Sequence, residues 1–309
     1  MPRPTYFGAI EAGGTKINCA FGLNHEAILK QTRIATGDPQ ESLAEVEAFF
    51  DDCIAEFGTM QALGIACFGP VDLSRASKTY GYVIQTPKPH WSFVSVAQRF
   101  EEKYGIPVGF DLDVNGSAIG EHRFGAGRSL DSICYVTIGT GIGVGVIAGG
   151  KSMNGLLHPE FGHIALHKIK GEPEGICKTH GNCAAGLASG PAIEQRWNAS
   201  AETFPQDHPM WQSQAHYVAA LCNAITLAYS PQRIILGGGV MLQEHLMPHI
   251  HRQFIKQLGD FVPAIERSGG VEQYIVKPAL GSLSGIAGAF VIASEVQQSN
   301  YDLSDLALE

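Results

Sequence analysis

Between Glu160 and Cys183 the chain gathers a carboxylate, two imidazoles and two thiols at short spacing: Glu160-Phe161-Gly162-His163, then Cys177-Lys178-Thr179-His180-Gly181-Asn182-Cys183. His163, Cys177, His180 and Cys183 are the donor types that suit a tetrahedral Zn2+, and four protein ligands leave no position for water, so the expected role of the metal is structural. Gly162, Gly175 and Gly181 beside these residues let the backbone wrap tightly round an ion. His158 and His167 flank the motif and are alternatives to His163 as a ligand. Glu160 would then sit on a loop fixed by metal, which is one way to build a substrate pocket. Cys19, Cys53, Cys67, Cys134 and Cys222 stand singly among apolar residues and read as buried small hydrophobes.

Three glycine clusters carry a second chemistry: Glu11-Ala12-Gly13-Gly14-Thr15-Lys16, Gly139-Thr140-Gly141-Ile142-Gly143 and Gly237-Gly238-Gly239-Val240. Bare glycine turns let backbone N–H groups converge on an anion, and threonine hydroxyls add donors. Each alone is equally a hairpin turn; two Gly-Thr hairpins in two half-chains point to phosphate. Neither fits Gly-x4-Gly-Lys-Ser/Thr, and the Gly139 cluster opens a strand, so the P-loop and dinucleotide fingerprints are excluded. Phosphoryl transfer also needs a carboxylate to orient and deprotonate the acceptor hydroxyl. Asp72, Asp111 and Asp113 are the candidates; Asp113, ahead of a small-residue helix, reads equally well as an ordinary N-cap.

The elements that must hold these groups follow from periodicity. Phe7 to Gly22 reads strand, turn, strand, with a further strand over 28–34. Asp38-Pro39 opens a helix with Ser42, Leu43, Val46, Phe49, Phe50 and Ile54 at helical spacing. Strands are predicted over 62–67 and 106–111, and helices over 93–104 and 114–124. The pattern then restarts: 132–148 is again strand, turn, strand. A helix from Pro191, a long helix over 215–229, strands over 233–236 and 274–276, and a Gly/Ala-rich helix over 281–293 complete it, with a frayed polar tail after Glu295. Alternating strands and helices imply an α/β fold, and the restart implies two related lobes with a cleft between them.

Composition narrows the classes. The chain has 309 residues, 45% hydrophobic and 17% charged, enough for a large core and two lobes. A net charge of -9 without a basic stripe argues against nucleic acid as a partner. There is no signal-peptide pattern and no apolar run that would span a membrane. Seven cysteines without a disulfide framework, beside a thiolate metal site, suit the reducing cytoplasm.

Taken in order, these segments resemble the ROK sugar kinases, and within them the bacterial zinc-containing fructokinases. The likeness is carried by 8–16, Cys67-Phe68-Gly69-Pro70-Val71-Asp72, Thr86-Pro87-Lys88-Pro89-His90-Trp91, 113–121, 137–143, His158-Pro159-Glu160-Phe161-Gly162-His163, 186–191 and 235–241. The resemblance implies the actin/hexokinase-like (ribonuclease H-like) two-lobe fold with an interlobe cleft. The small lobe is then expected over 1–117, with a C-terminal helix over about 285–309 packing back on it, and the large lobe over 118–284. It implies transfer of the ATP γ-phosphoryl group to the 6-hydroxyl of a hexose with Mg2+, fructose leading and mannose and glucose following. Asp113 matches the catalytic base. Glu160, His163, Asp72 and Trp91 match the sugar site, and His163, Cys177, His180 and Cys183 the zinc ligands. Gly13, Gly14, Thr15, Lys16, Thr140, Gly141, Pro191, Gly237, Gly238 and Gly239 match nucleotide-contacting positions. A homodimer is expected on the same ground. Leu112, Ala185 and Lys88 depart from common family patterns at positions that bear on sugar choice, and Glu11 stands where many members have Asp. Relatives include sugar-responsive repressors with a helix-turn-helix ahead of the lobes; the few residues before the first strand leave no room for one. A catalytically silent sugar sensor is the remaining alternative, opposed by an intact Asp113.

Overall fold

The computed structural model describes residues 4 to 306. Its elements in chain order are β1 (Tyr6–Ala12), β2 (Lys16–Gly22), β3 (Ile28–Ala35), α1 (Pro39–Phe57), β4 (Met60–Cys67), β5 (Tyr82–Val83), β6 (Val94–Ser95), α2 (Ala97–Tyr104), β7 (Val108–Leu112) and α3 (Asp113–Phe124). There follow β8 (Ile133–Ile138), β9 (Ile142–Ala148), β10 (Lys151–Ser152), α4 (Ala184–Ala188), α5 (Gly190–Trp197), α6 (Met210–Tyr229), β11 (Arg233–Gly237), α7 (Leu246–Leu258), α8 (Ala264–Arg267), α9 (Val271–Tyr274), β12 (Ile275–Val276) and α10 (Ser284–Leu306).

Local chemistry explains most boundaries. At α1 the Asp38 carboxylate accepts the Gln40 N–H at 2.9 Å, and Pro39 fills the first position, where no N–H is needed. Several boundaries correct the sequence reading. The helix predicted from Phe93 starts only at Ala97, because Phe93 has φ +62 and Val94–Ser95 pair with Tyr82–Val83. α6 starts at Met210, just after Pro209, with Met210 and Trp211 fully buried. The last helix starts at Ser284, since Gly281 has φ +56, and it continues to Leu306 rather than fraying after Glu295. Helix α7, for which the sequence reading offers no element, buries Leu246, Met247, Ile250 and Phe254 at helical spacing.

The chain divides into two compact units. The first comprises residues up to Arg128, Lys151–His158 and the segment from Ser282 on. Its sheet runs β3-β2-β1-β4-β7, with β1 antiparallel to β2 and parallel to β4, and β4 parallel to β7. Helix α10 lies on β1, β4 and β7 and against α3. It comes this close because glycine stands at the tightest contacts: a β-carbon on Gly64 would collide with the Ala289 carbonyl, and one on Gly288 with the Gly116 carbonyl. Phe7, Ala9, Ala20, Ala62, Ile286, Ala289 and Phe290 fill the layer between.

The second unit comprises Ser129–Gly150 and Pro159–Gly281. Within it the strands run β9-β8-β11-β12, with β8 antiparallel to β9 and parallel to β11, and β11 parallel to β12. This repeats the β2-β1-β4-β7 pattern of the first unit, as the restart at Ser132 predicts. Trp211, Tyr217 and Phe254 are buried in its helical layer. No helix among the described residues is long and apolar enough to cross a membrane.

Candidate active site and metal centre

Three parallel strands of the first unit end in register: Ala12 of β1 is opposite Cys67 of β4, and Cys67 is opposite Leu112 of β7. The next residues are Gly13, Phe68 and Asp113, so the sheet delivers all three to its carboxyl edge, where open α/β sheets bind ligands. The Gly13–Thr15 turn has all three carbonyls taken: Gly13 O by the Thr36 hydroxyl at 2.8 Å, Gly14 O by Lys88 Nζ at 2.6 Å and Thr15 O by the Thr36 N–H at 3.1 Å, while the Gly13 N–H donates to Lys16 O at 2.9 Å. The amides of Gly14 and Thr15 have no acceptor among the described residues, and both residues are exposed. Such a turn is a concavity for an anion. Lys16 is exposed beside it.

Asp113 opens α3, half-buried, and its Oδ1 accepts the Val114 N–H at 2.7 Å. The Cys67 thiol at the end of β4 is pushed well up, by burial first and then by the Asp113 charge. Asp111 is instead a buried structural acceptor, taking hydrogen bonds from the Leu112 N–H, Asn115 Nδ2 and Ser152 Oγ at 2.7, 2.7 and 2.8 Å. Burial raises its carboxyl. Glu11 is likewise raised by burial, opposed by the hydrogen bond from Asn18 and by Lys16 and Arg33.

Other predicted positions of this unit have structural partners. Asp72 accepts from the Ser74 N–H and the Thr79 hydroxyl, within its own loop; burial works upward on its carboxyl, but these hydrogen bonds prevail and lower it. Trp91 is fully buried, donating its Nε1 hydrogen to Gly37 O at 2.9 Å and meeting Phe68 edge to face at 5.0 Å. Leu112 is buried, and its side chain fills the space over Gly69. His158 is buried too, its Nε2 accepting the Val71 N–H at 3.2 Å.

In the second unit the ligand atoms of His163, Cys177, His180 and Cys183 lie within 4.8 Å of one another, whereas neither His158 nor His167 belongs to the group. Cys177 Sγ is 3.8 Å from His163 Nδ1 and 3.7 Å from His180 Nδ1, and Cys183 Sγ is 3.5 Å from His163 Nδ1. A tetrahedron with zinc–sulfur and zinc–nitrogen bonds of ordinary length has S···N edges of about 3.6 Å. The cluster therefore fits a metal of that size. Backbone N–H groups of His180 and Gly186 point at the two sulfurs, at 3.4 and 3.3 Å. Burial pushes the Cys177 thiol up, but the backbone N–H groups of His180 and Thr179 outweigh it and bring it to about 7; burial raises Cys183. Gly162 lets the turn carrying Glu160 and His163 lie against the Ile142 carbonyl, where a β-carbon would collide. Glu160 is exposed as a residue, yet the protein around its carboxyl desolvates it and raises it above the usual range.

The metal loop has its own anchors, which sequence reasoning misses. Glu172 accepts from the Tyr217 hydroxyl at 2.7 Å and pairs with Arg196 at 3.2 Å, both side chains mostly buried. Arg196 also donates to Leu187 O at 2.7 Å. No spacing rule links residue 172 to residues on α5 and α6. Thr36 escapes for the same reason: only the pairing of Lys16 with Ala35 brings it to the Gly13 turn.

The glycine turns of this unit share an edge as well. Thr137 is opposite Gly237, so the Gly139–Gly141 turn and Gly238 follow neighbouring strand ends. The Gly190 N–H donates to Gly139 O at 2.7 Å, bringing the start of α5 with Pro191 to the same place. Thr140 and Gly141 are exposed. Gly238 has φ +91, and a β-carbon there would meet the Ile138 backbone.

Known proteins share this architecture. Residues 7–296 match the model for the ROK family. A fructokinase of Zymomonas mobilis subsp. mobilis is 38% identical over 292 residues, 93% of this chain and 96% of that protein. A fructokinase of Lactococcus lactis subsp. cremoris is 38% identical over 277 residues, covering 89% and 92%. The crystal structure of a ROK family glucokinase from Streptomyces griseus, in complex with glucose and AMPPNP, superposes with a TM-score of 0.74 at 27% identity over 94% of this chain and 99% of that one.

Proposed function

The chain belongs to the ROK family, and from that premise we propose that it transfers the terminal phosphoryl group of ATP to fructose, giving fructose 6-phosphate. The observation that carries the chemistry is the in-register ending of β1, β4 and β7, which puts the Gly14 and Thr15 amides, without an acceptor among the described residues, and the carboxylate of Asp113 on one sheet edge. In this reading Asp113 takes the proton of the sugar hydroxyl as its oxygen bonds to phosphorus and the bond to the ADP oxygen breaks. The amides of Gly14 and Thr15 stabilise charge on phosphate oxygens without having to reorganise. Thr140, Gly141, Pro191 and Gly237 to Gly239 are proposed as further nucleotide contacts, and Glu160 as a sugar ligand. Fructose is favoured over mannose and glucose by the names of the relatives that match this chain over most of its length.

Two metals enter the proposal. Zinc suits the two thiolates and two imidazoles of the cluster. When bound it supplies folding energy to the loop that carries Glu160 and no open coordination position. Mg2+ keeps waters and substrate phosphates as most of its ligands and needs only one or two carboxylates; Glu11 and Asp113 are the acids near the turn. We assign the reaction to the cytoplasm, where thiolate ligands stay reduced.

An ADP-release assay with Mg-ATP and fructose, mannose, glucose or N-acetylglucosamine tests the reading, with fructose 6-phosphate identified as the product. Turnover with another hexose alone would move the specificity and keep the mechanism. No turnover with any sugar would overturn the kinase assignment.

A further inference from the structure

Lys88 is the residue of the Thr86–Trp91 loop that reaches the phosphate turn. Its ammonium donates to Gly14 O at 2.6 Å and Thr36 O at 3.1 Å, and it lies 5.9 Å from the centre of the Phe68 ring. The loop behind it is fixed: Trp91 is fully buried and bonded to Gly37 O, and the Thr86 N–H donates to Ser92 Oγ at 3.1 Å. The ammonium thus arrives from a braced loop rather than as a mobile surface charge. A carbonyl that accepts from a cation is drawn toward it, and in a tight turn the neighbouring amides then face the other way. Thr36 does the same for Gly13 and Thr15, but the carbonyl between them is held by Lys88.

We infer that Lys88 is a positioning residue for the polyphosphate of the nucleotide, holding the Gly13–Thr15 turn so that the Gly14 and Thr15 amides are left for an anion, and adding a positive charge beside it. This rests on the kinase reading above. The two parts of the role separate by substitution: arginine keeps the charge and can reach a carbonyl, while methionine keeps an unbranched stem of similar length and loses both charge and donor.

The test uses the full-length, metal-loaded protein. Binding of AMPPNP and of AMP is measured by calorimetry for wild type, Lys88→Met and Lys88→Arg, together with KM for ATP, KM for the sugar and kcat. A charge-assisted hydrogen bond is worth about ten- to a hundredfold in affinity. Lys88→Met is expected to lose AMPPNP affinity by about that factor, with AMP affinity and the sugar KM kept, and Lys88→Arg to recover most of the loss. A purely structural tether would lower the melting temperature and weaken AMP and AMPPNP alike; that result, or unchanged AMPPNP affinity in Lys88→Met, overturns the inference. Absence of turnover in the wild type with every hexose would instead strike the kinase reading, while the AMPPNP comparison would still decide the role of Lys88.

Discussion

His158 should make this protein acid-sensitive by an amount the structure allows to be worked out. The imidazole is 3% exposed, its Nε2 accepts the Val71 N–H, and burial lowers it from the ordinary 6.5 to about 4. Protonation would place a charge in an apolar setting and turn the acceptor into a donor facing another donor. Between pH 6.5 and pH 4 the unfolded chain therefore binds a proton at this site that the folded chain does not. The contribution to stability is complete above pH 6.5 and is lost as pH falls through that window. At about 1.4 kcal/mol per pH unit, the loss from this group is about 2 kcal/mol by pH 5, with a ceiling of about 3 kcal/mol below pH 4. His158→Gln keeps an acceptor for Val71 and removes the titration. Urea midpoints for both proteins at about pH 7.5 and about pH 5 give the double difference, which cancels protonation of the metal ligands because both variants carry them. Wild type should lose about 2 kcal/mol more than the variant. Parallel losses in the two proteins would refute the reasoning, since the imidazole would then titrate alike in both states.

Other outcomes follow from the same geometry. Asp113→Asn should lower turnover by at least about a hundredfold while calorimetric binding of AMPPNP stays near wild type; retained turnover would remove Asp113 from the role of base. Dialysis against a chelator should strip about one metal per chain, seen by elemental analysis, and lower both the melting temperature and sugar turnover, with recovery on zinc addition; a metal-free protein of unchanged stability would show that the cluster contributes nothing to the fold. Gly288→Ala should destabilise the first unit by about 2 kcal/mol or more, because the new β-carbon would fall on the Gly116 carbonyl and backbone must move to admit it; a chemical denaturation curve matching wild type would mean that α10 and α3 part freely.

Much of this protein is legible before folding, for local reasons. Asp38-Pro39 carries its own cap, the Gly13 and Gly139 hairpins carry their own turns, and the restart at Ser132 announces a repeated topology. The metal ligands are visible because Cys-x2-His-x2-Cys is itself a short segment, whose ligand types and spacing need no distant neighbour. Helix α7 was legible too, since Leu246, Met247, Ile250 and Phe254 stand at helical spacing and Pro248 lies in the first turn, where proline is tolerated.

What the sequence by itself determined was the set of turns, caps and ligand types, since these depend on neighbours a few positions away. The sequence favoured His163 beside Cys177 and Cys183 but left His158 and His167 as alternatives; the tertiary structure gathers His163 into the cluster and sets His158 against Val71. By residue type alone Asp72, Asp111 and Asp113 were all candidates, and only the family resemblance chose Asp113. The fold gives each a physical setting: Asp72 in a loop, Asp111 bonded to Asn115 and Ser152, and Asp113 at the strand ends beside the Gly13 turn. The physical reason is that strand register, and not chain distance, sets which side chains share an edge, and register is fixed only when the sheet buries its faces.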